Sequence, residues 1–334
     1  MSETFLSWVS QNYGSAIAER LNRTDLGPGG SFGGGNHTAK EKTSGWREEE
    51  SLFDIANKKP CLSGLQRDGF MIADDYRFIN AKSYDVKFLT TFQGLTSGIR
   101  GHTRHPNIHE PIIIVHGMTS RVDRFSDIRN YFLSKGYNDE EIYGTTYGDA
   151  GRTSMLRVTM ECDFVKRIRE LIIAVNAYTN SQVDVLGFSM GSPIARKAIM
   201  GGACVDTNEQ LGAPLTSLVD TYVGIAGANY GSFLCFLPLG SCNTVNGLHC
   251  NSQFLADINA KPRYEGSFIF TIYSTDDEYV GYEACGRIAS AIDGQNKAIE
   301  VPEMVTEKCF RLYEKSGKVL IVLPRMKHKD ASVI

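Results

Sequence analysis

From Pro111 onward the chain alternates short, wholly apolar runs with amphipathic stretches. "PIIIVHG" (111–117) is β-branched and stops at glycine, which predicts a strand buried on both faces. Over 120–136, Val122, Phe125, Ile128, Tyr131 and Phe132 share one helical face. Ser120 suits the cap of that helix and Gly136 its stop. "EIYGTTYGD" (141–149) reads as a second strand. Residues 159–179 read as a long helix, with Phe164, Ile168, Leu171, Ile172 and Val175 at helical spacing. There follow a strand at 183–189, a helix at 192–201, strands at 218–227 and 266–274, a helix at 280–292 and a last strand at 317–326. Strand–helix alternation with wholly apolar strands predicts an α/β fold, with a mostly parallel central sheet and helices on both faces. Reactive residues of such sheets gather at the carboxyl ends of the strands.

Upstream the pattern fades. Residues 1–40 end in the glycine-rich "GPGGSFGGGNHT" and read as an N-terminal segment packing on the main domain. Residues 41–109 are polar and weakly patterned, and read as an atypical insertion. Residues 110–334 carry the α/β domain.

Composition narrows the function without choosing it. The 334 residues are 42% apolar and 22% charged with a net charge of −3, enough to bury a sizeable core. No clustered basic–aromatic stripe points to nucleic acid. No apolar run approaches the length of a transmembrane segment, and the first residues do not read as a signal peptide. The eight cysteines are an even number, five of them between Cys204 and Cys285. Disulfides in an oxidising compartment and reduced, buried thiols are both open readings. The sequons Asn22-Arg23-Thr24 and Asn36-His37-Thr38 lean toward secretion. No histidine–cysteine spacing suggests a metal site, and the chemistry below requires neither metal nor cofactor.

That chemistry starts at "VDVLGFSMGSPIARKAI", where Gly187-Phe188-Ser189-Met190-Gly191 matches G-x-S-x-G between a buried strand and a helix. A serine on so sharp a turn presents its hydroxyl as a nucleophile, and the flanking glycines relieve the crowding. A glycine-flanked turn without chemistry is the plainer reading, and the strand before and helix after argue against it. The amide of Met190, at the start of that helix, can face an oxyanion. Met118, after His116-Gly117 at the end of the first strand, is placed to give the second amide. His116 itself reads as a residue that orients its loop. Asp276, Asp277 and Glu278 crowd the loop after the strand at 266–274, where an acid belongs. His328 is the sole histidine downstream, in "PRMKHKD", so chain order offers it as the base, while Lys327 and Lys329 beside it leave a solvated tail histidine as the other open reading. Phe233, Phe236 and Leu237 lie in "SFLCFLPLG" (232–240), which either covers an acyl-binding cleft or is a core segment tethered by Cys235, Cys242 or Cys250.

These stretches resemble the class 2 lipase family of α/β hydrolases, and particularly its nematode branch. The resemblance rests on "LNRTDLGPGGSFGGGNHT", "PIIIVHGMTS", the run from "VDVLGFSMG" to "GIAGANYGS", "CFLPLGSCNTVNGLHC", "RYEGSFIFTIYSTDDEYVG" and "YEACGRIAS". It implies an α/β-hydrolase fold, a triacylglycerol lipase or carboxylesterase activity, and a secreted, disulfide-bonded protein. It also implies Ser189 as nucleophile and Met118 and Met190 as oxyanion amides, and it selects Asp277 within the acidic cluster. Two features depart from the family pattern. Residues 41–109 stand where a short link is expected. The family's histidine is expected soon after "AIDGQNKAIEV", and "PEMVTEKC" has none, which leaves His328. The leading expectation is thus a serine hydrolase acting on a lipid or small ester, with contact to a lipid surface. Its rivals are a non-catalytic lipid-binding homologue without a working histidine and an acyl transferase sharing the same acyl-enzyme.

Overall fold

The first parallel strand owes its place to four β-branched side chains in a row, which leave none to face water. Ile113 and Val115 enter the core on one side of the sheet, and Ile112 and Ile114 the core on the other. The computed structural model describes residues 1–35 and 109–301. In them, seven strands form one sheet. These are β1 (Ser31–Phe32), β2 (Ile112–Val115), β3 (Ile142–Thr145), β4 (Val183–Phe188), β5 (Val219–Ile225), β6 (Phe268–Tyr273) and β9 (Lys297–Glu300), in the order β1-β3-β2-β4-β5-β6-β9. β1 is antiparallel to β3, and every other pairing is parallel. The expected mostly parallel sheet is therefore present.

Helices cover both faces. α4 (Cys162–Thr179) and α5 (Gly191–Met200) bury their apolar residues on one side. α3 (Ser126–Ser134) places Ile128 and Phe132 on the other. Ile168, Leu171, Ile172 and Val175 are fully buried along α4, as their spacing predicts. α3 starts later than its pattern suggested. Val122–Phe125 form a 3-10 turn, and the Ser120 hydroxyl reaches Arg121 O rather than a helix amide, so Ser120 is not the cap. Gly136 ends the unit at φ +94°, as expected.

The predicted helix at 280–292 is absent. The segment forms a two-stranded ribbon, β7 (Glu283–Ala284) and β8 (Arg287–Ile288), turning at Cys285 and Gly286 with φ of +58° and +75°. Its Val280, Ala284, Ala289 and Ile292 are buried at spacings that resemble a helix, but they pack from an irregular chain held by a Cys250–Cys285 disulfide. Two helices near the start have no marked apolar pattern in the sequence: α1 (Glu3–Tyr13) and α2 (Ser15–Asn22). Ser2 caps α1 by accepting from the Phe5 amide, and Phe5, Val9, Ala18 and Leu21 join the main core. The last helix among the described residues, α6 (Gln253–Ile258), is short. The strand predicted at 317–326 lies outside the described residues; β9 takes the sheet edge among those described.

The open cysteine question resolves into three disulfides among the described residues: Cys162–Cys204, Cys235–Cys242 and Cys250–Cys285. None joins one sheet strand to another; all three pin loops or helix starts. Among the described residues no helix is long and apolar enough to cross a membrane.

Candidate active site

β4 ends in a bend whose tightness is enforced on both sides. Ser189 sits at φ +50°, in the left-handed region that β-carbon-bearing residues avoid. A Cβ on Gly187 would come within 2.7 Å of Ser192 Cα, and one on Gly191 would overlap the carbonyl oxygens of His116 and Val115. The two glycines of the motif thus let α5 and the end of β2 close against the serine. Gly191→Ala is expected to cost about 1–3 kcal/mol, as overpacking typically does. Urea unfolding of that variant measures the cost; a wild-type midpoint would contradict the crowding.

The bend is held by backbone bonds to neighbouring strand ends. The Ser189 amide donates to Ile225 O at 2.9 Å, and Ser189 O accepts from the amides of Ser192 and Ala228. Beneath it lies a buried network that the sequence did not announce. The Ser192 hydroxyl lies 2.9 Å from the Tyr222 hydroxyl and donates to Asn229 Oδ1, whose amide nitrogen donates to Ser290 O. The i+3 spacing of Ser192 from Ser189 was its only trace in the sequence. One turn further along α5, the buried Arg196 bonds Glu265, Asn259 and Ile258 O. Ser189 itself is half-buried and so not sealed in the core.

The β2 turn lies directly against this bend. A Cβ on Gly117 would stand 3.1 Å from Ser189 Cβ and 3.7 Å from Ser189 Oγ, so the end of β2 lies against the Ser189 side chain. Met118 follows in a turn closed by Ser120 N–H to Gly117 O, with Thr119 at φ +53°. Met190 is buried at the N-terminus of α5, where amides lack helical partners. Met190 thus follows Ser189 directly in the chain, and Met118 follows the Gly117 that lies against it.

His116 is committed to shaping that turn. Its Nε2 faces the Tyr147 amide at 3.1 Å, and an amide can only donate, so Nε2 accepts. The proton then sits on Nδ1 and donates to Gly117 O at 2.8 Å. The ring also stacks on Tyr147 at 3.9 Å. Both nitrogens are occupied, and burial holds its pKa down at about 3. The residue is an orienting group, not a base. Its ordinary pKa is near 6.5, so between pH 6.5 and 3 the unfolded chain takes up a proton that the folded chain refuses. The stability it contributes is full above pH 6.5 and falls as pH drops through that window, at up to about 1.4 kcal/mol per pH unit. Urea midpoints at pH 7 and pH 5 should fall less between those values in His116→Asn than in the wild type.

Burial separates the members of the acidic cluster. Asp276 is exposed, whereas Asp277 is buried. Asp277 Oδ1 accepts from the amides of Tyr279 and Val280 at 3.0 and 2.9 Å. Oδ2 is buried and has no hydrogen-bond partner among the described residues. An orphaned carboxylate oxygen at a strand end is costly unless a donor meets it. His328 lies outside the described residues. Of the other described histidines, His109 faces Glu141 and His249 accepts from the Asn251 amide. β9 ends beside β6, with the Val301 amide on Tyr273 O, so the chain leaves the sheet at the edge that carries Asp277.

The apolar segment is tied to the acid loop. The Ser232 hydroxyl donates to Tyr279 O and the Phe233 amide to Val280 O. Phe233, Phe236 and Leu237 are exposed, with Phe236 at 74%. Of the two open readings for this segment, burial in the core is therefore not what is seen, although the Cys235–Cys242 tether is present. A separate cavity of about 280 Å³ lies on the far flank of the β2 turn, lined by His116, Thr119, Ser120, Tyr147, Phe164 and Arg167. Ser189, Asp277 and Phe233 do not line it.

Comparison with known proteins decides the family, because the profile of "Lipase (class 2)" matches residues 109–315, well over half the chain. The chain belongs to the class 2 lipase family. Its fold is that of the α/β hydrolases. The match in this class 2 lipase family member takes in Met118, Ser189, Met190, Asp277 and the segment 232–240, and ends before His328. Among solved structures, Aspergillus fumigatus lipase B is 15% identical with a TM-score of 0.41, over 58% of this chain and 44% of that one. The chain thus spans less than half the length of that fungal protein. The mature form of Bacillus licheniformis lipase BlEst2 is 13% identical with a TM-score of 0.42, over 64% and 95%.

Proposed function

We propose that the protein hydrolyses carboxylic esters, as a triacylglycerol lipase or carboxylesterase, through an acyl-enzyme on Ser189. The observation that carries this reading is the bend itself. A half-buried serine at φ +50° has its flanking glycines forced by contact, and a Cβ on Gly117 would stand 3.1 Å from its own Cβ. Ser189 Oγ attacks the ester carbonyl carbon while its proton passes to a histidine. The amides of Met118 and Met190 hold the oxyanion of the tetrahedral intermediate. Collapse expels the alcohol, which takes the proton from the histidine. Water, deprotonated by the same group, then releases the acid and regenerates Ser189.

Asp277 orients that histidine. Its Oδ2 is buried without a donor among the described residues, the vacancy that an imidazole N–H fills in a Ser-His-Asp arrangement. His328 is our assignment for the base, on the grounds of chain order after Asp277 and of β9 delivering the chain to the same edge. Phe233, Phe236 and Leu237, tied to the acid loop, contact the acyl chain. The three disulfides fit an oxidising, extracellular setting. A fluorophosphonate should label Ser189, and purified protein should turn over p-nitrophenyl esters. Absence of both, in protein with its disulfides formed, overturns the reading. Turnover unchanged in His328→Ala removes that residue alone.

A further inference from the structure

The turn after β5 grips the nucleophile, and one asparagine holds the turn. Ala226 stands at φ +45° without being glycine, a strained conformation that persists only where the surroundings enforce it. Residues on either side of it bond the Ser189 backbone. Ile225 O accepts from the Ser189 amide at 2.9 Å, and the Ala228 amide donates to Ser189 O at 3.2 Å. The Ser192 amide, in the first turn of α5, donates to the same oxygen at 3.0 Å.

Asn229 joins these two supports, and it is fully buried. Its Nδ2 lies 3.0 Å from Ser290 O, which can only accept, so Oδ1 is the atom that takes the Ser192 hydroxyl at 2.9 Å. The two residues whose amides hold Ser189 O are thereby cross-linked through a side chain. Packing leaves that link no slack: a Cβ on Gly227 would come within 2.6 Å of Ser192 Oγ and 2.8 Å of Asn229 Nδ2. The other end of Asn229 reaches the acid's side of the site. Ser290 follows Ala289, which accepts from the Tyr230 amide and donates to Tyr282 O, in the segment that continues from the Asp277 loop. Asn229 O also accepts from Asn259 Nδ2 at 2.8 Å. The position needs a head that accepts on one side and donates on the other, which an amide provides.

We propose that Asn229 is a positioning residue for ester hydrolysis, fixing the Ser189 bend against the segment that carries Asp277. The role rests on the ester-hydrolase reading. It acts on the alignment of the attacking hydroxyl and not on the affinity for substrate.

The test is steady-state ester turnover, with fluorophosphonate labelling of Ser189, in the full disulfide-bonded chain. In Asn229→Ala kcat should fall by about 10²-fold, the cost of a small misplacement of a reacting group. KM should stay near the wild-type value, and the labelling rate should fall in step with kcat. Asn229→Asp makes both bonds when protonated and loses the donor when ionised, so its kcat relative to wild type should decline as pH rises. Lys197→Met is the control for fold. It breaks buried bonds to Gly201 O and Asp257 at the far end of the same helix, and should lower the urea midpoint while leaving kcat near wild type. Should Asn229→Ala not fold, the pH profile of Asn229→Asp carries the comparison. Variants at Asn229 with wild-type kcat overturn the proposal. So does a raised KM at unchanged kcat, or a loss of kcat that Lys197→Met matches. Wild type that neither turns over ester nor takes the label removes the hydrolase reading and this role with it; an active wild type indifferent to Asn229 removes the role alone.

Discussion

Ser189→Ala is expected to lower turnover of a soluble ester by about 10⁶-fold, the loss seen when the nucleophile of a serine–histidine unit is removed. The size follows from what remains. Without Oγ no acyl-enzyme forms, and only oxyanion stabilisation and binding persist, which together leave about 10³–10⁴ over the reaction in water. The substitution should also be gentle on the fold, because every hydrogen bond recorded for Ser189 runs through its backbone amide and carbonyl. Alanine also tolerates φ +50° no worse than serine does. Stability and activity are therefore separable here. A variant that unfolds at the wild-type midpoint and still hydrolyses ester within tenfold of wild type would show that another group is the nucleophile.

Asp277→Asn should cost about 10⁴-fold in kcat, the penalty for presenting the imidazole with the wrong tautomer. The argument depends on the two oxygens having different partners. Oδ1 holds the loop through the amides of Tyr279 and Val280, and the carbonyl oxygen of an asparagine can do the same. Oδ2 has no partner among the described residues, and in the variant its place is taken by an NH₂ that donates instead of accepting. Asp277→Ala would remove both functions and confuse loop collapse with lost orientation, so the amide is the sharper probe. Circular dichroism and melting should be unchanged while kcat falls. Should kcat stay within tenfold of wild type, the role passes to Asp276 or Glu278.

The parts of this molecule legible in its sequence share a physical cause. β2, β4, β5 and β6 are largely buried on both faces, so they read as runs rich in β-branched and aromatic residues, continuous in β2 and broken at Asp184 in β4, Asp220 and Thr221 in β5 and Thr271 in β6. The Ser189 bend was legible because its glycines stand two residues either side of the serine, a compact motif, although the contacts that require them reach Ser192 on one side and the distant Val115 and His116 on the other. Asp277 could be narrowed to three neighbours by position, and the family resemblance, not the spacing, chose among them. What escaped depends on contacts distant in the chain. α1 and α2 are short and half-polar, and owe their place to Phe5, Val9 and Leu21 meeting a core built mostly from residues beyond 111. The segment 280–292 has helical spacing by coincidence, because its apolar residues are gathered by a disulfide to Cys250 and by the turn at Cys285–Gly286. The Ser192–Tyr222–Asn229 network joins α5, β5 and the loop after it, and no periodicity announces a bond between side chains 30 positions apart.

The three covalent links sit at the rim while the sheet is held by its own ladder and two apolar cores. A host whose cytoplasm keeps thiols reduced would therefore yield material with an intact centre and slack edges, the edges being where Phe236 and the Asp277 loop are seated. Such preparations would pass a folding assay and fail a functional one. An inactive batch from that source would bear on its redox history, not on the serine.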